Sequence, residues 1–309
     1  MSGHYFFKLP GVALVALLAS CTSYQDSSLR TLGSTLSGEQ VAAELTTRYA
    51  DVRSNCGADS KPAFLCAGLL VRGTKRSDNY DPWNPSPTSQ INGGVSFTFI
   101  RSDYKVKRLA FNYSSGFIFA PILKRDGSSN IPVGKYLYQV LCFFPVDGVS
   151  DERPDGGCGA NPSYPAVSMS CELQNPPITT GEQWYAHAKQ HVSTKARCSF
   201  NVRDSQNQLA GPRFIEGMKG GRGVSGDRLA FHTPNDTKIA TWDQNIPAQL
   251  PIEAFIYIAS TGAVGLDEAQ DYQRRYRSST GVTVPIIRVA MPQTLEETTS
   301  FTYQLSDQN

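Results

Sequence analysis

The chain has 309 residues, 40% of them hydrophobic and 18% charged, with 29 Lys and Arg against 27 Asp and Glu. A chain of this length can bury a proper core, either as one large domain or as two. The near balance of charges gives no electrostatic reason to expect nucleic acid as a partner.

Residues 1–20 indicate a secretion signal. Lys8 precedes an apolar run, Gly11–Ser20, that is about half the length needed to span a bilayer as a helix. Leu-Ala-Ser-Cys at 18–21 matches the lipobox of bacterial lipoproteins, in which Cys21 receives the lipid. The alternative is an ordinary signal cleaved near Ser20 with Cys21 unmodified. We therefore expect an exported protein, anchored by lipid to the outer membrane or cell surface, or secreted.

Residues 21–37 are rich in Ser, Thr and Gly and predict a flexible tether, followed by one globular domain over 38–309. Six cysteines remain besides Cys21, an even number suited to disulfides in an oxidising compartment. Neighbour pairing is our prediction, because short loops would staple local hairpins: Cys56 with Cys66, Cys142 with Cys158, and Cys171 with Cys198. The chain has no C-x-x-C pair, which disfavours a zinc site.

A helix is predicted at the start of the domain. Ser37 and Gln40 have capping-box spacing, and apolar residues recur along one face from Val41 to Val52, before Gly57. Further helices are expected at 181–192 and 266–277, the latter stopped by Gly281.

The rest of the domain is rich in strand-like segments separated by Pro, Gly and Asp. They are residues 63–72, 94–101, 116–123, 135–144, 166–172, 197–202, 252–260 and 282–291. The mixture predicts an α+β fold in which strands are the majority.

Two motifs favour a structural reading over a chemical one. Residues 221–226 match G-x-G-x-x-G, but the dinucleotide fingerprint needs a preceding strand and a following helix. We predict a mobile glycine loop there, followed by a strand-like run from Asp227. His187 and His191 have metal-binding spacing, yet position 188 is Ala, so the glutamate of H-E-x-x-H is missing. We expect no metal site.

Chemistry is expected around the end of an apolar strand, where Arg72 is followed by Gly73 and Thr74. The planar guanidinium can offer a fork of donors to a pyrophosphate, and the glycine indicates a turn or a close approach. Further along, Ser96 and Thr98 share one face of a predicted strand, opposite the apolar residues 95, 97 and 99. That hydroxyl face could line a cleft.

We expect two further segments at the same site. The proline-rich loop 80–88 contains Tyr80 and Trp83, which could stack on a flat ring. Glu268, Gln270 and Asp271 cluster just before a core strand.

The order of these segments resembles the ADP-ribosyltransferase toxin family, whose members carry Arg-Gly on a first strand, a Ser-Thr-Ser-like strand next, and a Glu or Gln with Glu later. A more specific resemblance, spread from about Ala42 to Pro292, is to the halovibrin family of secreted bacterial NAD-cleaving proteins. It is carried by residues 62–68, 72–74, 83–87, 93–97, 112–113, 116–119, 250–255 and 281–292. The resemblance implies a split sheet like that of ADP-ribosyltransferases, with NAD glycohydrolase or ADP-ribosyltransferase activity.

The same resemblance implies roles for the residues. Arg72 would hold the pyrophosphate, with Gly73, Thr74 and Thr98 at the substrate. Tyr80 or Trp83 would stack on nicotinamide or adenine, and Ser96 would position the nicotinamide ribose.

The catalytic acid is left open. Position 97 is Phe and position 98 is Thr, so the serine motif is reduced, and the third region contains no Glu-x-Glu. Glu268 with Gln270 is the nearest match, Asp271 is adjacent, and Glu253 lies on a different strand. One of these four would bind a ribose hydroxyl and stabilise the developing positive charge.

NAD would then be a consumed substrate rather than a cofactor, and either water or a protein would accept the ADP-ribose. A rival interpretation is a non-enzymatic outer-membrane lipoprotein with a binding or structural role. Convergence of Arg72, Ser96 and one acid in a single site would favour the enzyme.

The lipobox makes a prediction about location. Cys21→Ser should move the protein from the membrane fraction to the soluble or secreted fraction, because the thiol that accepts the lipid is gone. Fractionation followed by immunoblotting measures this. Unchanged membrane association would show that the anchor lies elsewhere.

Overall fold

The computed structural model describes residues 36–55, 63–75, 81–83, 95–120, 131–133, 136–146, 170–190, 198–202, 210–223, 229–242 and 252–308. The predicted signal peptide, the predicted lipidation site Cys21 and nearly all of the predicted tether lie outside these residues. The sites predicted at Tyr80, Cys56 and Cys158 do so as well.

Ten strands of the described residues form one sheet. They are β1 (Leu69–Thr74), β2 (Val95–Ile100), β3 (Ser115–Phe119), β4 (Ile131–Val133), β5 (Tyr136–Phe144), β6 (Phe200–Asn201), β7 (Asp236–Trp242), β8 (Ile252–Ile258), β9 (Ile286–Ala290) and β10 (Ser300–Tyr303). The strand order is β10-β9-β8-β3-β1-β2-β7-β5-β4, and β6 pairs with β5. Only β8 and β9 pair in parallel within this sheet; the other neighbours are antiparallel.

The described α-helices are α1 (Gly38–Ala50), α2 (Gly181–Gln190), α3 (Ala210–Arg222), α4 (Leu229–His232) and α5 (Gly262–Thr280). None of these helices is long and apolar enough to cross a membrane. Together with the sheet they confirm the predicted strand-rich α+β fold.

The predicted disulfide between Cys171 and Cys198 is present. Cys66 and Cys142 are also disulfide-bonded. The partners that neighbour pairing gives them lie outside the described residues, so those two pairings stay predictions.

The sheet divides along β2, and this division positions the candidate site. The second half of β2, from Thr98 to Ile100, pairs with β1, whereas its first half, from Val95 to Phe97, pairs with β7. The β1–β2 pairing ends at Val71, so Arg72 pairs with β3 but has no partner residue on β2.

The two faces of the sheet bury different helices. On one face, here called the α1 face, α1 packs on alternate residues of β1, β3, β8 and β9. On the other, the α5 face, α5 and α3 cover an aromatic core that includes Phe97, Phe117 and Phe255. Because successive strand residues alternate between faces, one side of β1 supports α1 while the other side can serve a site beneath α5.

The beginning of α1 agrees with the sequence analysis. Ser37 accepts from the backbone of Gln40, whose side chain in turn accepts from the Ser37 backbone, which is the predicted capping box. The helix ends earlier than expected, at Ala50, and Val52 is 52% exposed. Tyr49 is the last residue of this helix that packs on the α1 face.

The loop predicted over 221–226 is wrong at its start, because Gly221 and Arg222 are the last two residues of α3; residues 224–226 lie outside the described residues. Gly217 and Gly220 also lie inside α3, and residues 229–232 form α4 rather than a strand. A Cβ at Gly217 would lie 2.6 Å from the Phe143 ring, and one at Gly220 would lie 3.2 Å from Trp184. These glycines therefore let α3 approach the sheet and α2 closely, which outweighs their poor helix propensity.

Strand prediction also missed β4, β7 and β10, while the segment predicted at 166–172 contains a 3₁₀ turn at Cys171–Leu173 in its described part. The edge strands β4 and β10 have only three and four residues. Such short strands leave little periodicity to detect.

A buried ion pair fixes α1 to the sheet. Arg48 of α1 donates to Glu253 on β8, and their side chains are 14% and 2% exposed. Arg48 also reaches the Gly68 carbonyl just before β1.

Arg48→Met should destabilise the protein by about 3–5 kcal/mol, because it leaves the Glu253 carboxylate buried without its partner. Arg274→Met is the matched control, since Arg274 is 63% exposed in its pair with Asp271 and should cost at most about 0.5 kcal/mol. Urea denaturation followed by circular dichroism gives both values. Equal effects would contradict a structural role for the Arg48–Glu253 pair.

Candidate functional site

Arg72 lies where β1 and β2 part. Strand alternation places its side chain on the α5 face, beside Phe117 of β3. The guanidinium donates from Nη1 to the Ser96 carbonyl, 3.0 Å away, so it crosses the gap between the two strands. Its Nε is buried without a hydrogen-bond partner, and no carboxylate of the described residues pairs with it. Arg72 is therefore a half-buried cation with donor capacity to spare.

Glu268 of α5 lies near the end of β1 on the same face. Its Oε2 accepts hydrogen bonds from the hydroxyls of Ser114 and Ser115, the latter at 3.1 Å. The Ser115 hydroxyl also lies 3.1 Å from that of Thr74. Thr74 follows Arg72 by two residues on the same side of β1, a rise of about 7 Å. The structure thus brings Arg72, Thr74 and Glu268 to one face at one end of β1.

The other candidate acids are directed elsewhere. The Gln270 amide donates to the Asp307 carbonyl near the C-terminal end, and Asp271 forms a surface pair with Arg274. Glu253 is held by Arg48 from α1. This ion pair gives Glu253 a structural role, and its assignment as a reserve catalytic acid stays a prediction.

Trp83 belongs to the core. It is fully buried, and its ring packs edge-on with Phe255, Tyr272 and Tyr276. The predicted stacking of Trp83 on a ligand is therefore wrong, because no face of the ring is open. Tyr80, the other predicted stacking residue, lies outside the described residues.

The hydroxyls of Ser96 and Thr98 share one side of β2, as expected, but they do not line a cleft with Arg72. The Ser96 hydroxyl accepts from the Lys238 ammonium at 2.6 Å, and the buried Thr98 hydroxyl donates to the Asn235 carbonyl at 3.3 Å. The Ser96 hydroxyl therefore bonds β2 to β7, and the Thr98 hydroxyl bonds β2 to Asn235, the residue that precedes β7. Ser96 meets Arg72 through its carbonyl instead.

Gly73 is closely approached, as its position after Arg72 suggested. A Cβ there would lie 2.6 Å from the ring of Tyr113. This contact is on the side of β1 opposite to Arg72. Gly73 therefore accommodates Tyr113 on this side of β1.

Sequence analysis missed the charged pair on β7. Asp236 and Lys238 are 2% and 4% exposed, and the Lys238 ammonium lies 3.2 Å from Asp236 Oδ2. This contact lacks hydrogen-bond geometry, and neither oxygen of Asp236 accepts a hydrogen bond. The alternation of Lys238 with the apolar Ile239 was the available signal.

Tyr257 of β8 pairs across the sheet with Ser115, the residue of β3 that donates to Glu268. Burial raises its pKa to about 12, and the hydrogen bond that it donates to Asp307 adds to this effect. The phenol is therefore protonated at neutral pH and does not act as a base. The described residues contain no group of three or more His, Cys, Asp or Glu able to hold a metal ion.

Comparison of the chain with family models, curated proteins and solved structures finds no match. The resemblance to the halovibrin family is therefore carried by the sequence segments alone.

The buried pair on β7 can be tested by a double-mutant cycle. Lys238→Met and Asp236→Asn should each destabilise the protein, the first by about 3–5 kcal/mol, because each leaves one buried charge without its counter-charge. The double variant should be more stable than the sum of the two single effects predicts. Denaturant unfolding of the four proteins measures this. Simple additivity would show that the two charges do not interact.

Proposed function

We propose that the protein cleaves NAD at the bond between nicotinamide and ribose, as an NAD glycohydrolase or an ADP-ribosyltransferase. The observation that supports this best is the placement of Arg72 and Glu268. One is a cation without a described carboxylate partner at a gap in the sheet, and the other is a hydrogen-bonded carboxylate at the same end and on the same face of β1.

In this proposal Arg72 binds the pyrophosphate of NAD. A guanidinium can donate two parallel hydrogen bonds to neighbouring phosphate oxygens, which an ammonium cannot reproduce. The bond to the Ser96 carbonyl uses Nη1 and holds the plane of the group, while Nη2 donates no hydrogen bond within the described residues and is the nitrogen that meets the ligand. Ser96 thus contributes through its backbone by positioning Arg72.

Glu268 supplies the negative charge that the reaction needs. Departure of nicotinamide leaves an oxocarbenium-like ribose, as in glycoside hydrolysis. The two serine hydroxyls fix Oε2, whereas Oε1 forms no hydrogen bond within the described residues and can accept one from a ribose hydroxyl. A carboxylate oriented before the reaction stabilises the cation as it forms.

The bond that breaks is the C–N bond to nicotinamide, which leaves with the bonding electron pair. Water or a nucleophilic side chain of an acceptor protein then forms the new bond to the ribose carbon and loses a proton. We further propose that this chemistry occurs outside the cytoplasm, on a protein anchored through a lipid on Cys21.

Nicotinamide release from NAD by the purified protein tests the proposal. Glu268→Gln should lower kcat by about 10²–10³, the scale seen when one electrostatic stabiliser is removed. Arg72→Lys should also reduce kcat/KM strongly, because it keeps the charge and loses the fork. Asp271→Asn, a neighbouring carboxylate on the same helix, is the matched control and should retain activity. Thermal unfolding checks that each variant is folded.

Two results would contradict this assignment. Equal activity of the Glu268→Gln and Asp271→Asn proteins would remove Glu268 from the site. If the unmodified protein released no nicotinamide, with or without candidate acceptor proteins, the non-enzymatic lipoprotein would take the place of the enzyme.

A further inference from the structure

A pocket of about 550 Å³ opens at the ends of the parallel strands β8 and β9. Ile258 and Ala290, the last residues of these strands, form part of its wall, with Ser260 and Thr261 of the turn that leads into α5. A volume of this size suits a small organic ligand.

The charges around the pocket have one sign. Lys107, Arg108 and His232 line it, whereas no Asp or Glu of the described residues does. Arg108 is exposed and donates to the neutral amide oxygen of Asn112 at 2.9 Å, and Lys107 lies over the Phe231 ring at 4.8 Å. Neither side chain has an ion-pair partner among the described residues. The pocket therefore offers two unneutralised cations and an imidazole to an anion.

The N-terminus of α5 adds to the preference of the pocket for an anion. Its first turn contains no acidic residue, and Thr261, at the N-cap position, makes no side-chain capping bond. The Thr261 hydroxyl donates instead to the Ile258 carbonyl at 2.7 Å. The positive end of the helix dipole is thus uncompensated beside a wall of the pocket.

The remaining wall of the pocket is largely apolar and suits a flat ring. Leu109, Met291 and Tyr113 line the pocket. Phe111 is 72% exposed, and its ring centroid lies 5.6 Å from that of Tyr113. An exposed aromatic residue beside a lined pocket offers a stacking surface for a flat ligand.

This pocket is separate from the Arg72 site. Tyr113, which lines the pocket, packs against Gly73 on the side of β1 opposite to the Arg72 side chain. A ligand in the pocket and one at Arg72 would lie on opposite faces of the sheet. The pocket does not depend on the proposed NAD-cleaving activity.

We propose that this pocket binds a nucleoside phosphate. The phosphate lies between Lys107, Arg108 and His232, and the base lies against Tyr113 and Phe111. The cations select the phosphate, and the aromatic pair selects a planar ring over a simple anion.

Isothermal titration calorimetry with AMP, adenosine and inorganic phosphate tests this assignment on the purified protein. AMP should bind at least about tenfold more tightly than adenosine or phosphate alone. Arg108→Gln should weaken AMP binding at least about tenfold, the scale of one charge-assisted hydrogen bond. Phe111→Ala should weaken the binding of AMP but not of phosphate.

Two comparisons locate the binding. Arg277→Gln, a substitution of another exposed arginine, on α5, should leave the affinity for AMP unchanged. The Arg72→Lys protein should also bind AMP as the unmodified protein does, which separates this pocket from the proposed catalytic site. Thermal unfolding verifies that every variant is folded.

Three results would overturn the proposal. The first is absence of AMP binding at millimolar concentration. The second is an affinity that falls with Arg72→Lys and not with Arg108→Gln, which would place AMP at the other site. The third is equal affinity for AMP and inorganic phosphate, which would show that the aromatic residues contribute nothing.

Discussion

The change of partner along β2 is the constraint on which the candidate site depends. A strand that pairs with β1 through one half and with β7 through the other leaves the end of β1 without a neighbour on that side. The Arg72 guanidinium crosses this gap to a backbone carbonyl. A continuous ladder would have closed the gap and left no path for the side chain. At the same division, Ser96 contacts both neighbouring strands: its hydroxyl accepts from Lys238 of β7, and its carbonyl accepts from Arg72 of β1.

The sequence predicted the fold class, α1, and β1, β2, β8 and β9 approximately, because each carries a strong local pattern. The capping box and the apolar face of α1 are contiguous in the chain. Disulfide pairing was open, and neighbour pairing was a correct guess for Cys171 and Cys198. The helical position of Gly221 was not predicted because its reason is tertiary: a Cβ there would meet Tyr104, which is distant in sequence.

Prediction of the candidate site had the same limit, because a local sequence pattern does not show tertiary contacts. Arg72 and Glu268 were identified from segments that lie far apart in the chain, but the spacing could not choose among four acids. The choice follows from helix geometry and from two serines, Ser114 just before β3 and Ser115 at its start, which hold Glu268 and not Asp271. The stacking role of Trp83 was predicted because the sequence of a proline-rich loop does not indicate which of its aromatic side chains are buried in the core. Lys238 and Asp236 were missed because their strand was.

Helix α5 contributes to both proposed sites, the basic pocket and the Arg72 site. Its first residue adjoins the basic pocket, and Glu268 lies six residues further along, about 9 Å at 1.5 Å per residue. A hydrogen-bonded helix moves as a stiff rod over such a distance, so its beginning and Glu268 share one displacement. The serine contacts restrain that displacement from the β3 side. The two proposed sites therefore share a mechanical support, although the sheet keeps their contents apart.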